Sequence, residues 1–392
     1  MSRTSSPLFV DPETRFSCSG CGRCCTASWA IAVTPDKKDE ILSRPWKELG
    51  VDPSQLVRPM AKGLWALTKQ PGTNRCVMLG EDGLCDLHRH WGAEAKPQMC
   101  IRFPHLAVAS AEAVWITANF GCKAVQEGHG PPLPTDAAVL AETFAPELAA
   151  VREDADIGYG VSPGHVVGGQ ELEELVEALC GALEGDLFAA LATLAAFTAQ
   201  TQDWAPAQAL RPPSDIRQVT GDLRYALALT LYSDAVDSTR FWGRVAGVLA
   251  LPRMLTFTHR YKSRLAGVDI DMGEVFAHPG TLPEEGHALL TSWLRARLRG
   301  RLVLKEAAHF AAGTTRLLLQ AAAVLYFARA LAPQRDITLP DVLKALEAVE
   351  LYIGNQQVVS TLAKLDPRLP RLWQDPTVAA GAAALFAPRA QT

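Results

Sequence analysis

The sequence is short of most features that would place the chain quickly. Residues 1–10 hold no apolar core of the length a secretory signal needs. No stretch reaches the roughly 20 apolar residues that cross a bilayer. The best approach to one, residues 317–328, is broken by Gln320, lies between Arg316 and Arg329, and reads as a buried helix. Charge of one sign is missing too: 38 basic against 42 acidic side chains leave a net charge of −4, no footprint for nucleic acid or an acidic membrane as partner. No G-x-S-x-G, H-E-x-x-H or Walker run occurs, so serine hydrolase, zincin and P-loop nucleotidase chemistry find no support. Cysteine is almost absent beyond residue 122, where only Cys180 occurs.

The other eight cysteines are Cys18, Cys21, Cys24, Cys25, Cys76, Cys85, Cys100 and Cys122. Without an export signal the expected compartment is the reducing cytoplasm, where clustered thiols hold metal or do redox work in preference to forming disulfides. The run Cys18-Ser-Gly-Cys21-Gly-Arg-Cys24-Cys25 spaces thiols by two residues, so that a tight turn aims them at one centre. Gly20 and Gly22 clear side chains from beside Cys21 and let backbone amides face the sulfurs. On an extended backbone Cys24 and Cys25 would point apart and serve two centres, or leave one thiol facing a substrate. Between Cys76 and Cys85 the turn Gly80-Glu-Asp-Gly83 returns the chain so that the two thiols meet. Cys85-Asp-Leu-His88 makes His88 a candidate nitrogen ligand, with His90 a weaker one. Lys96 and Arg102, beside Cys100, are candidate cofactor-binding residues because a thiolate-rich centre carries negative charge. Eight thiols complete two four-coordinate sites or one polynuclear cluster with spares. Four thiolates suit zinc or iron–sulfur alike; many thiols and little local core favour a [4Fe–4S] cluster, with zinc the alternative. Cys180 lies on the apolar face of a helical segment and reads as a small buried hydrophobe.

Composition divides the chain into a short, loosely held lead-in at 1–15, a cysteine-cluster region at 16–130 and an α-helical domain at 131–392, with 128–134 as linker. The fold class is mainly α: an irregular cysteine-rich unit with few short strands, joined to an all-α body. In the first unit, coordination bonds are expected to assist closure. Helical periodicity marks roughly 136–151, 170–200, 214–234, 239–266, 284–299, 303–332, 339–354 and 355–364, with Gly267 and Gly354 as stops. The G-x-G-x3-G at 158–164 follows no strong strand and reads as a loop, not a nucleotide-binding turn. Arg295, Arg297, Arg299, Arg301 and Lys305 read as a solvated face, with a break at Gly300 because their alternation follows no single helix face. A second basic stretch, His259-Arg-Tyr-Lys262 with Arg264, reads the same way. The aromatic pieces at 229–232, 241–242 and 325–327 read as core.

Taken in order, Phe16-x-Cys18-x2-Cys21-Gly22-x-Cys24-Cys25, Cys76-x8-Cys85-x2-His88 and Lys96-Pro97-x2-Cys100-x-Arg102-Phe103-Pro104 resemble the CxxCxxCC (YkgJ-type) zinc- or iron-chelating proteins over residues 16–122. In size and architecture the helical extension is similar to the FliB-type flagellin lysine N-methylases of that family. The resemblance implies a metal or iron–sulfur domain, S-adenosylmethionine as methyl donor, and a flagellin-like protein lysine as acceptor. It implies no catalytic residue by number.

Overall fold

In the computed structural model the residues described are 7–27, 29–60, 63–152, 157–199, 259–263, 267–277, 280–353 and 369–386, with Leu223, Ala226, Leu227, Thr230, Leu231 and Met254. The fold is mainly α, with only two- and three-stranded sheets among these residues. Local chemistry starts several helices. Thr338 closes a capping box with Asp341 at the head of Leu339–Ala348, and Asp375 accepts from Thr377 N at 2.8 Å to open Pro376–Ala384.

The centre of the body is the helix Phe310–Leu331, on which the helices Leu339–Ala348, Pro376–Ala384 and Leu187–Ala199 pack. Contrary to the expectation that no stretch reaches bilayer-crossing length, it is long and apolar enough to cross one, but its apolar window is entirely buried inside the fold, as a buried helix over 317–328 requires. The break after Glu306 comes from His309, whose Nδ1 accepts from Ala312 N at 3.2 Å and starts a new helix. The periodicity over 170–200 likewise resolves into two helices, Gly169–Ala182 and Leu187–Ala199, parted where Gly185 takes a left-handed φ of 92°. The stretch 136–151 splits at Phe144 into Ala137–Thr143 and Ala145–Leu148, with Pro146 inside the first turn of the second. Glu284–Arg299 is one helix, and 339–354 becomes Leu339–Ala348 followed by a π turn at Val349–Ile353.

Two expectations change type. Residues 260–262 end the helix expected over 239–266 as a strand, paired antiparallel with Asp269–Asp271 across the turn at Gly267. The presumed loop at 158–164 is a hairpin of Tyr159–Ser162 and His165–Val167, turned at Gly164, with Tyr159 and Val161 in the core. Most of 214–234, all of 239–253 and 255–258, the segment 355–364, Phe241-Trp242, Gly354 and Arg264 lie outside the described residues.

Long-range pairing joins the cysteine-rich region to this body. Leu8–Val10 runs parallel to Val114–Ala118, which pairs antiparallel with His105–Ala109. Along Val114–Ala118 the side chains alternate: Trp115 enters the main core, while Val114 and Ile116, on the opposite face, join a smaller cluster with Leu140 and Phe144. Residues 7–15 are therefore held, not loose. The segment 128–134 is also fixed, because Phe16 N donates to Pro131 O at 3.1 Å, Leu133 N donates to Thr14 O at 2.9 Å, and Leu133 is fully buried. A separate core closes residues 31–95 around Trp46, Leu56, Met78 and Leu87. Trp46 stacks edge-on to Trp91 at 4.7 Å and donates from Nε1 to Ile41 O at 2.6 Å. That core is larger than the short apolar pieces of the sequence suggest.

Candidate metal centre

Gly20 and Gly22 both adopt left-handed conformations, φ 65° and 67°, which only glycine takes at little cost, in the loop that carries Cys18 and Cys21. Gly22 heads the helical turn Arg23–Thr26, and Cys25 N donates to Gly22 O at 3.0 Å. Cys24 and Cys25 thus sit on a helical turn, not an extended strand. Their Sγ atoms are 3.9 Å apart, so the two thiols do not diverge to separate centres. The turn at 80–83 lies directly on this loop: a Cβ on Gly83 would come within 3.2 Å of Gly20 O. Cys76 is tied in by its own backbone, its N–H donating to Cys25 O at 2.7 Å. Cys85 heads the helix Asp86–Trp91, which carries His88, and Cys100 lies in Gln98–Arg102. Cys122 starts Lys123–Gln126, with its N–H donating to Asn119 O at 3.1 Å.

All eight cysteines, with His88 and Lys96, line one cavity of about 540 Å³. The sequence reading names every one of these ten residues. Arg102 is not brought to the wall. Its guanidinium binds Glu147 at 2.6 and 2.9 Å, donates to Thr143 O and covers the Phe144 ring. His90 is also off the wall, tilted against Trp91. Cys180 is buried in the main core, as expected of a small hydrophobe. Cys18 and Cys21 are exposed, while Cys76 is buried. Exposed Leu84 and Met99 also line the cavity.

Residues from the helical body complete the wall, namely Arg297, Leu302, Lys305, Glu350 and Leu351. Sequence reasoning missed Glu350 altogether and took Arg297 for solvated. The arginines of 295–301 in fact turn inward or pair. Arg297 joins Glu350, Arg299 pairs with Glu13 at 2.6 Å and Glu177 at 3.0 Å, and Arg301, 1% exposed, pairs with Glu173. Their acidic partners come from Glu13, from Gly169–Ala182 and from Glu350, with Gly300 ending the helix between Arg299 and Arg301. The only sequence sign of this was the failure of those arginines to share one helix face.

Burial sets the electrostatics of the thiols. Cys24 is pushed far above the usual thiol range by its contact with Cys25 and then by burial. Cys76 is raised by burial, Cys100 by burial and its thiol neighbours to about 12, and Cys122 by burial to about 11. The Lys96 ammonium opposes this at Cys24 and Cys100 by favouring thiolate. Cys24 is the hub, within charge range of Cys25, Cys76, Cys100 and Cys122. Among the described residues no three cysteine, histidine or carboxylate side chains already converge on one ion; the thiols surround a space. The donor chemistry, eight thiols and one imidazole, suits a thiophilic metal, and one pair of thiols stands at a matching distance. The 3.9 Å Sγ–Sγ separation is close to the edge of about 3.8 Å expected for thiolates about 2.3 Å from a tetrahedral zinc.

Fold and site together describe a mainly helical protein with a thiol-lined cavity built largely from its N-terminal third. Residues 17–123 match the CxxCxxCC family model, described as a "putative zinc- or iron-chelating domain". Comparison with curated proteins and with solved structures gives no match.

Proposed function

We propose that the cavity carries an iron–sulfur cluster, [4Fe–4S], and that the protein transfers a methyl group from S-adenosylmethionine to a lysine of a protein substrate. The observation that carries the metal reading is the meeting of eight thiols on one cavity. One structural zinc uses four ligands, and the surplus favours a polynuclear group with spare thiols. Zinc is the alternative, supported by the short Cys24–Cys25 separation. When bound, such a cluster supplies an electrophilic iron and a fixed negative charge. The chain's part is to deprotonate and orient the thiols, with Lys96 favouring the thiolate form at Cys24 and Cys100.

Methyl transfer rests on the resemblance over 16–122 and on the helical extension. A lysine nitrogen attacks the sulfonium methyl, the sulfur–methyl bond breaks to leave a thioether, and the new ammonium releases a proton. The amine must first be neutral, against an ordinary pKa of about 10.4, and the apolar wall of Trp29, Met78, Phe103 and Leu302 is suited to desolvating it. Lys96 and Lys305, on the same wall, are suited to the donor's carboxylate. Exposure of Cys18 and Cys21 favours a second reading, a non-methylating protein that handles or exchanges metal. Calorimetry of S-adenosylmethionine on metal-replete protein decides between them. Saturable binding near one equivalent, lost in Lys96→Ala, supports methyl transfer; absence of binding overturns it.

A further inference from the structure

Two thiol-bearing turns of the metal cavity are fastened to one element of the helical body. At the motif, Arg23, between Cys21 and Cys24, donates to Gln126 Oε1 at 2.8 Å and stands 3.7 Å from Glu347. Gln126, buried, donates in turn to Leu343 O at 3.0 Å. Leu343 and Glu347 both belong to the helix Leu339–Ala348. At the other turn, Phe120 N, two residues before Cys122, donates to Glu350 Oε2 at 3.0 Å. Glu350 sits in the π turn that extends the same helix. Its side chain is fully buried, and Oε1 accepts from Trp293 Nε1 at 2.8 Å and from Arg297. Beside it Leu351 lies so close to Gly121 that a Cβ there would come within 2.2 Å of the leucine side chain.

A charge this buried is costly to desolvate, and it is tolerated because its donors come from three places: the 120 turn, Trp293 and Arg297. Removing it would leave the Phe120 N–H, two residues before Cys122, without this acceptor. The π turn brings Glu350 and Leu351 to the cavity wall while the preceding helix reaches Arg23, so one element spans both thiol-bearing turns.

We propose that the segment 339–353 is a clasp that sets the distance between the Cys21–Cys25 turn and Cys122, with Glu350 as its positioning residue. Metal affinity in the cysteine region is then a property of the helical body as well. By reciprocity, filling the cavity tightens the body. This inference rests on the metal reading above.

The test uses the full chain stripped of metal and titrated with zinc against a chromophoric chelator, with melting followed in parallel. Outer groups that orient metal ligands are typically worth about 10–100-fold in affinity. Glu350→Gln, and independently Arg23→Gln, are expected to weaken zinc binding by that order and to shrink the zinc-induced rise in Tm. Val378→Ala is a body substitution away from the cavity, at a fully buried position. It is expected to lower the metal-free Tm and leave the zinc Kd unchanged. Wild-type Kd values in both folded clasp variants, or an equal loss in Val378→Ala, overturn the clasp while sparing the metal site. If Glu350→Gln does not fold, Arg23→Gln decides. A wild-type chain that binds no zinc overturns the metal reading itself.

Discussion

Filling the cavity must expel protons, and the burial of the thiols makes that coupling unusually persistent. Cys100 holds its proton up to about 12 and Cys122 to about 11. At pH 7 their thiolates therefore lie roughly 5 and 4 pH units away, or roughly 7 and 5 kcal/mol at about 1.36 kcal/mol per unit. A metal must overcome that cost, and each such ligand releases one proton on binding. Apparent zinc affinity should then rise about tenfold per pH unit for every buried thiol recruited. An ordinary thiol, titrating near 8.5, loses this dependence as pH approaches 9; these ligands should keep the full slope to about pH 9.5. The assay is chelator competition at stepped pH. A plot of log affinity that flattens by pH 8.5 refutes the buried-thiol ligand set. In the metal-free protein the sign runs the other way. Folded thiols hold their protons more tightly than unfolded ones, so this contribution to stability is complete below about 8.5 and is lost as pH rises through 11 and 12.

Three further outcomes follow from placement alone. Cys180→Ala should keep full metal content, since this thiol lies in the main core and off the cavity, and should cost roughly 1 kcal/mol in denaturant unfolding; loss of metal contradicts that placement. Arg102→Ala should also keep its metal and cost at most about 1 kcal/mol, because its partner is a partly exposed Glu147; metal loss would return Arg102 to the site. Trp46→Ala should cost roughly 3–5 kcal/mol by emptying the centre of the small core. An unchanged denaturation midpoint in metal-free protein would show that metal, not this core, closes residues 31–95.

The residues that line the cavity were legible because thiol spacing is a local property: C-x2-C turns and a Gly-Glu-Asp-Gly reversal act over a few residues, and Gly20 and Gly22 mark where the chain must turn left-handed. The helix Phe310–Leu331 was legible for the same reason, its apolar residues being continuous along the chain. What stayed hidden depends on distant partners. Nothing near Leu8 announces that it pairs with Val114, and nothing near Arg297 or Glu350 announces their ion pair at the cavity. Composition therefore suggested a linker at 128–134, where hydrogen bonds to residues 14–16 instead fix the chain. Arg102 was misleading because neighbouring Cys100 in sequence did not mean facing the same way. Its position on the short helix Gln98–Arg102 turns it to Glu147.

Metal and acid-labile sulfide analysis of protein isolated without air tests the central claim most directly. Eight thiols around one cavity predict brown protein with iron and sulfide in comparable amounts. Zinc without sulfide would keep the centre and replace the cluster. Protein free of both metals, with its cysteines reduced and its fold intact, would contradict a metal centre here.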